Sequence, residues 1–222
     1  MRRFNVTGIC VPNMHYMADI SQKIEKIFSM VEYGYYFTIN RGRQYGKTTT
    51  IGMLEKRLTD DYVCASISFQ YSENQMFADE KGFCQGLLGR IHDALSFSDE
   101  EEAGLWLDDN VTDFRQLSAF IAKRSKGKRV VLIIDEADEA SSNNLFVRFL
   151  KMLRDKYLFK NAGKDYTFHS VILAGVYDVR NLKQKMILQG NYVPTSGESV
   201  MNSPWNIAVE FKIDMSFSAP EI

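Results

Sequence analysis

Apolar residues recur at helical spacing at Ile20, Ile24, Ile27, Phe28 and Val31, and this stripe predicts an amphipathic helix. It gives way to an unbroken apolar run at Tyr35–Ile39, which reads as a strand. Helical spacing then returns from Lys47 to about Leu58, and Tyr62–Phe69, rich in small and apolar residues, predicts a second strand. A helix is expected from about Met76 to Leu95, with Phe83, Leu87, Leu88 and Ile91 on one face, although Gly82, Gly86 and Gly89 lower its propensity. Asp113–Lys126 repeats the pattern through Phe114, Leu117, Phe120 and Ile121, and Gly127 closes it. Val130–Ile134 carries no polar alternation, as expected of a strand buried on both faces. Leu145, Phe149, Leu150, Leu153 and Tyr157 mark another helix, Phe168–Ala174 a fourth strand and Ile207–Phe211 a fifth. Strands separated by helices imply an α/β fold, a three-layer sandwich around a five-stranded parallel sheet.

Two of these strands end in residues that carry chemistry. The first runs into Arg43-Gln44-Tyr45-Gly46-Lys47-Thr48-Thr49 at a helix start. Backbone N–H groups and the helix dipole converge there, as in a P-loop NTPase phosphate site. Lys47, expected on a solvated loop without a core role, would reach the β- and γ-phosphates, and the Thr48 hydroxyl suits Mg²⁺. The pattern departs from G-x-x-x-x-G-K-[ST], because Arg41 holds the first glycine's place and Gly42 lies one residue late. The Val130–Ile134 strand ends in Asp135-Glu136. Ligands bind beyond the carboxyl ends of parallel strands, so these carboxylates should share an edge with Lys47. Asp135 is the second candidate for Mg²⁺, and Glu136 the candidate base for an attacking water. Asp135-Glu136-Ala137-Asp138 also spells a helicase box, but the later strand ends Ala174-Gly175-Val176-Tyr177 rather than in a Ser-Ala-Thr sequence. Trp106, Phe120 and Met152 read as core residues, with no base-stacking surface.

Composition narrows the class. A chain of 222 residues with 45% hydrophobic and 25% charged content is ordinary for one globular domain. The net charge of −1 gives no global attraction to nucleic acid or anionic membrane. No apolar run is long enough to span a bilayer, and Arg2-Arg3 lacks the apolar stretch of a signal peptide. Cys10, Cys64 and Cys84 have no metal spacing, and free thiols in a cytoplasmic protein account for them. Ser98–Glu102 reads as a solvated acidic loop.

Several segments together resemble a bacterial family of predicted AAA-type ATPases: Phe4-Asn5-Val6-Thr7-Gly8, Pro12, His15-Tyr16-Met17, Phe37-Thr38-Ile39-Asn40-Arg41, Arg43-Gln44-Tyr45-Gly46-Lys47-Thr48 and Ala174-Gly175-Val176-Tyr177-Asp178-Val179. Ser203-Pro204-Trp205-Asn206 and Met215-Ser216-Phe217-Ser218 carry the likeness almost to the end. In that family an arginine in the first-glycine position is expected, whereas Gly42 stands in place of a proline. The resemblance implies an AAA/ASCE-type core across residues 1–222, with a helical lid and, in many members, a nuclease-like region of the PD-(D/E)XK type further on. Neither appears in this chain.

The resemblance also implies roles for further residues. Val11, Pro12, His15, Tyr16 and Met17 would close over an adenine, although His15-Tyr16 reads equally as a packing cluster at the helix entry. Tyr177 and Asp178 occupy the place of a polar sensor near the γ-phosphate. Arg180 is either an arginine finger acting across a subunit boundary in a homo-oligomer of cores or a surface arginine. The expected function is ATP binding with slow Mg²⁺-dependent hydrolysis of the β–γ bond, driving a conformational switch. The competing reading is a non-hydrolytic signalling or defence module that acts through a partner protein. Nucleic-acid contact is expected only through a C-terminal region beyond the core.

Overall fold

The computed structural model describes residues 2–5, 8, 10–11, 13–40, 46–70, 76–140, 143–175 and 205–213. Six helices and four strands alternate along them: α1 (Ser21–Glu32), β1 (Tyr36–Asn40), α2 (Lys47–Leu58), β2 (Val63–Ser68), α3 (Glu80–Ser96), α4 (Glu100–Gly104), α5 (Phe114–Ser125), β3 (Val130–Asp135), α6 (Asn144–Asn161) and β4 (Ser170–Gly175). All strand pairs are parallel, in the order β1-β4-β3-β2. The strand leading to Lys47 and the strand ending in Asp135 are therefore not neighbours, and β4 lies between them.

Alternation along the strands creates the three layers. Val130, Leu132, Ile134, Val171 and Leu173 face one core with Phe83, Leu87, Leu117, Phe149 and Leu153 of α3, α5 and α6. Val131, Ile133, Ile172 and Ala174 face the other with Ile24, Ile27, Ile51 and Leu54 of α1 and α2. The P-loop NTPase sandwich read from the sequence is thus present, with four strands among the described residues in place of five. The segment at Ile207–Phe211 meets β1 at a single parallel bridge, Phe37 to Val209, where Val209 N–H donates to Tyr36 O at 2.8 Å. A turn precedes it, closed by Ala208 N–H donating to Trp205 O. Trp205 is fully buried and stacks on Tyr36 with ring centroids 5.7 Å apart.

The acidic stretch Ser98–Glu102 is not simply a solvated loop. It forms α4, capped by Asp99, and buries Glu102, whose carboxylate accepts from Trp106 Nε1 at 3.2 Å and pairs with Lys128. An i, i+4 spacing from Glu102 to the fully buried Trp106 turns one carboxylate inward while Glu100 and Glu101 stay exposed.

Candidate functional site

Helix starts in this protein are chemically uneven. Asp79, Asp99, Asp113 and Asn143 cap α3, α4, α5 and α6, each accepting a hydrogen bond from a first-turn N–H. α2 has no side-chain cap. Its N-cap is Gly46 at φ +77°, a left-handed conformation that suits glycine, and the first turn of α2 opens onto the carboxyl edge of the sheet. Backbone donors at such an end are satisfied by an anion as readily as by a side chain. Further into the helix, the Thr50 hydroxyl and N–H both donate to Gly46 O at 2.9 Å, which fixes the turn.

Lys47 is the first residue of α2 and only 7% exposed, so it does not sit on a solvated loop. Its ammonium lies 2.6 Å from Asp135 Oδ1 and 2.9 Å from Glu136 Oε1. Burial alone would lower its pKa, but the two carboxylates outweigh that effect and hold it above the ordinary lysine value. The edge of the sheet thus brings together the lysine and both acids read from the sequence.

Asp135 closes β3 and Glu136 begins the turn beyond it. Glu136 N–H donates to Asp135 Oδ1 at 2.8 Å, and Glu136 has φ +52°, the one positive φ among described non-glycine residues. For a glutamate this conformation is strained, and such strain clusters at functional sites. The turn leans back over β4, where Ala137 N–H donates to Ala174 O at 3.0 Å. Asp138 packs against Gly175 so closely that a Cβ there would lie 2.5 Å from Asp138 Oδ1. The position of the two acids therefore depends on a glycine at the end of the neighbouring strand.

Thr48 is exposed on the first turn of α2, and its hydroxyl with the Asp135 carboxylate forms a hard oxygen donor set suited to Mg²⁺. Lys47 and Glu136 N–H both contact Oδ1 of Asp135, and Oδ2 is its second acceptor. Thr49 has a different job, since its Oγ1 accepts from Cys10 N–H at 3.2 Å and ties the N-terminal segment to α2. That segment is bridged by Arg3 and His15. His15 is buried and its Nδ1 accepts from Val11 N–H at 2.9 Å, which makes it a loop-closing residue. Tyr16 is 53% exposed and packs on the exposed Phe4 with ring centroids 5.0 Å apart. Pro12, Arg43, Gln44, Tyr45, Tyr177, Asp178 and Arg180 lie outside the described residues.

Glu55 was not read as part of the site. It lies behind Asp135, one helical turn from the buried Ile51, and its side chain hydrogen-bonds Ser66. Burial raises its carboxyl pKa, the Ser66 hydrogen bond opposes this, and the Asp135 charge adds to the rise. The only trace in the sequence is a carboxylate at the border of the apolar stripe of α2.

A glycine-lysine helix start after β1, acids at the end of β3 and β4 between the two strands fit a nucleotide-binding P-loop ATPase class. A family model described as AAA domain matches residues 43–182, more than half of the chain, and the chain belongs to that family. No curated protein matches it. No described helix is long and apolar enough to cross a membrane.

Proposed function

We propose that the chain binds ATP with Mg²⁺ at the edge formed by α2 and β3 and hydrolyses the β–γ bond as a conformational switch. The observation that carries this reading is the Lys47 ammonium within 3 Å of both Asp135 Oδ1 and Glu136 Oε1. Residues far apart in sequence meet there at the uncapped start of α2.

Lys47 and the N–H groups from Gly46 to Thr49 neutralise the phosphates, and Arg43, Gln44 and Tyr45, which precede them in the sequence, are further candidates for phosphate contact. Thr48 and Asp135 would hold Mg²⁺, which when bound would supply positive charge to offset that of the phosphates. Lys47 exchanges its carboxylate partners for phosphate when nucleotide binds, and this frees the Glu136 carboxylate. Glu136 then orients a water and accepts its proton.

Calorimetric titration with Mg-ATP, followed by chromatography of the nucleotide over time, tests both halves of the proposal. Binding and conversion to diphosphate, both lost in Lys47→Ala, are expected. Binding without conversion would reduce the site to a structural nucleotide holder, and no binding would end the proposal.

A further inference from the structure

The edge of the sheet opposite Lys47 carries a concentration of positive charge that the net charge of −1 conceals. Lys123, Arg124, Lys126, Lys128 and Arg129 fall within seven residues, where α5 ends and β3 begins. Cations near a helix C-terminus are common because they complement its dipole. Only Lys123 and Arg124 lie in the last turn of α5, however, and Lys126, Lys128 and Arg129 lie beyond it, all exposed.

A further cation arrives from a separate element. Lys160 of α6 lines the same cavity as Lys128 and Arg129, a space of about 290 Å³ with Tyr166 on its wall. Lys160 Nζ donates to the carbonyls of Phe168 and His169, at 3.2 and 2.8 Å, and burial lowers its pKa to about 8. Carbonyl dipoles are its described partners, so an incoming anion would find an ammonium that no described carboxylate neutralises. Two of the local acids are already engaged, Glu102 by Lys128 and Asp165 by Lys156. The Lys126 ammonium stands 5.7 Å over the Tyr166 ring, and Arg129 lies over Tyr62.

Phe159 and Asp165, the chain neighbours of Lys160 and Tyr166, line a second groove of about 540 Å³ between α5 and α6, with Arg115, Lys151, the exposed Asp155 and Arg148, which pairs with Glu80. Two aromatic rings border this path, Tyr166 at 50% exposure and Phe159 at 54%. A basic track interleaved with exposed aromatic faces suits a phosphodiester strand whose bases can stack. An acidic peptide would use the cations but has no need of the rings.

We propose that the surface running from Lys126 and Lys160 past Tyr166 and Phe159 into the α5–α6 groove binds single-stranded nucleic acid. The site lies at the opposite sheet edge from the ATP site and does not depend on it. Fluorescence anisotropy of a labelled single strand of about 20 nucleotides, titrated with this chain, tests the proposal. Engaging about three phosphates predicts roughly a 20-fold loss of affinity between about 50 and 200 mM salt. Lys126→Glu should weaken binding about tenfold, and Lys126→Glu with Lys160→Gln further, while Mg-ATP titration and thermal melting of the single variant stay as in wild type. Lys26→Glu, on exposed α1 across the sheet, makes the same charge change and should alter affinity less than about twofold. Equal loss in Lys26→Glu and Lys126→Glu, tighter binding to a duplex of the same length, or preference for phosphatidylserine vesicles would each overturn it.

Discussion

Lys47 Nζ lies 2.6 Å from Asp135 Oδ1, a contact that joins the first residue of α2 to the last residue of β3 across the intervening β4. The pair connects the two halves of the proposed site. It also gives the lysine a structural share in the fold.

Lys47→Ala should therefore have two effects. Mg-ATP binding is lost in calorimetry, and stability in denaturant falls by about 1–3 kcal/mol at neutral pH. This is less than the roughly 3–5 kcal/mol of a fully buried pair. The Asp135 and Glu136 side chains keep 14% and 24% exposure, so water offsets part of the loss. Wild-type affinity in the variant would dismiss the phosphate-site reading.

Glu136→Gln keeps volume and hydrogen bonding but removes the proton acceptor. ATP should bind with near-wild-type affinity and remain unhydrolysed in a single-turnover assay. Asp135→Asn should instead weaken binding in the presence of Mg²⁺ about tenfold or more, with a smaller effect in EDTA. Equal losses in both variants would mean that the two acids do not divide the work.

Gly175→Ala should disturb the site from the neighbouring strand. The added methyl would meet Asp138 Oδ1 at 2.5 Å and Cγ at 3.1 Å, so the Asp138 side chain, or with it the turn carrying Glu136, has to move. A stability loss of about 1–3 kcal/mol is expected, together with a fall in turnover larger than the fall in ATP affinity. An unchanged rate with unchanged stability would show that this turn does not position Glu136.

Lys160 predicts a pH signature. Its folded pKa of about 8 lies below the ordinary lysine value of 10.5, so between those values the unfolded chain holds a proton that the folded chain does not. Stability from this group rises with pH across that window. In paired denaturant titrations, wild type should gain on Lys160→Met from about pH 8 upward, and a flat difference would contradict the buried-ammonium description.

The local pattern of the chain specified most of its elements, because helix and strand periodicity are written in neighbouring residues. The stripe from Ile20 to Val31 became α1, and the unbroken run Val130–Ile134 became the central strand β3, buried on both faces. Lys47, Asp135 and Glu136 were legible for the same reason, since each follows a recognisable strand. Tertiary structure decided what spacing along a chain cannot carry. It placed β4 between the two site strands, turned Lys47 from solvent onto both acids, and set Asp138 against Gly175. It limited the segment at Ile207–Phe211 to one bridge with β1. It also gathered Lys160 beside the basic run after α5, a juxtaposition of residues distant in sequence that a chain-wide net charge averages away.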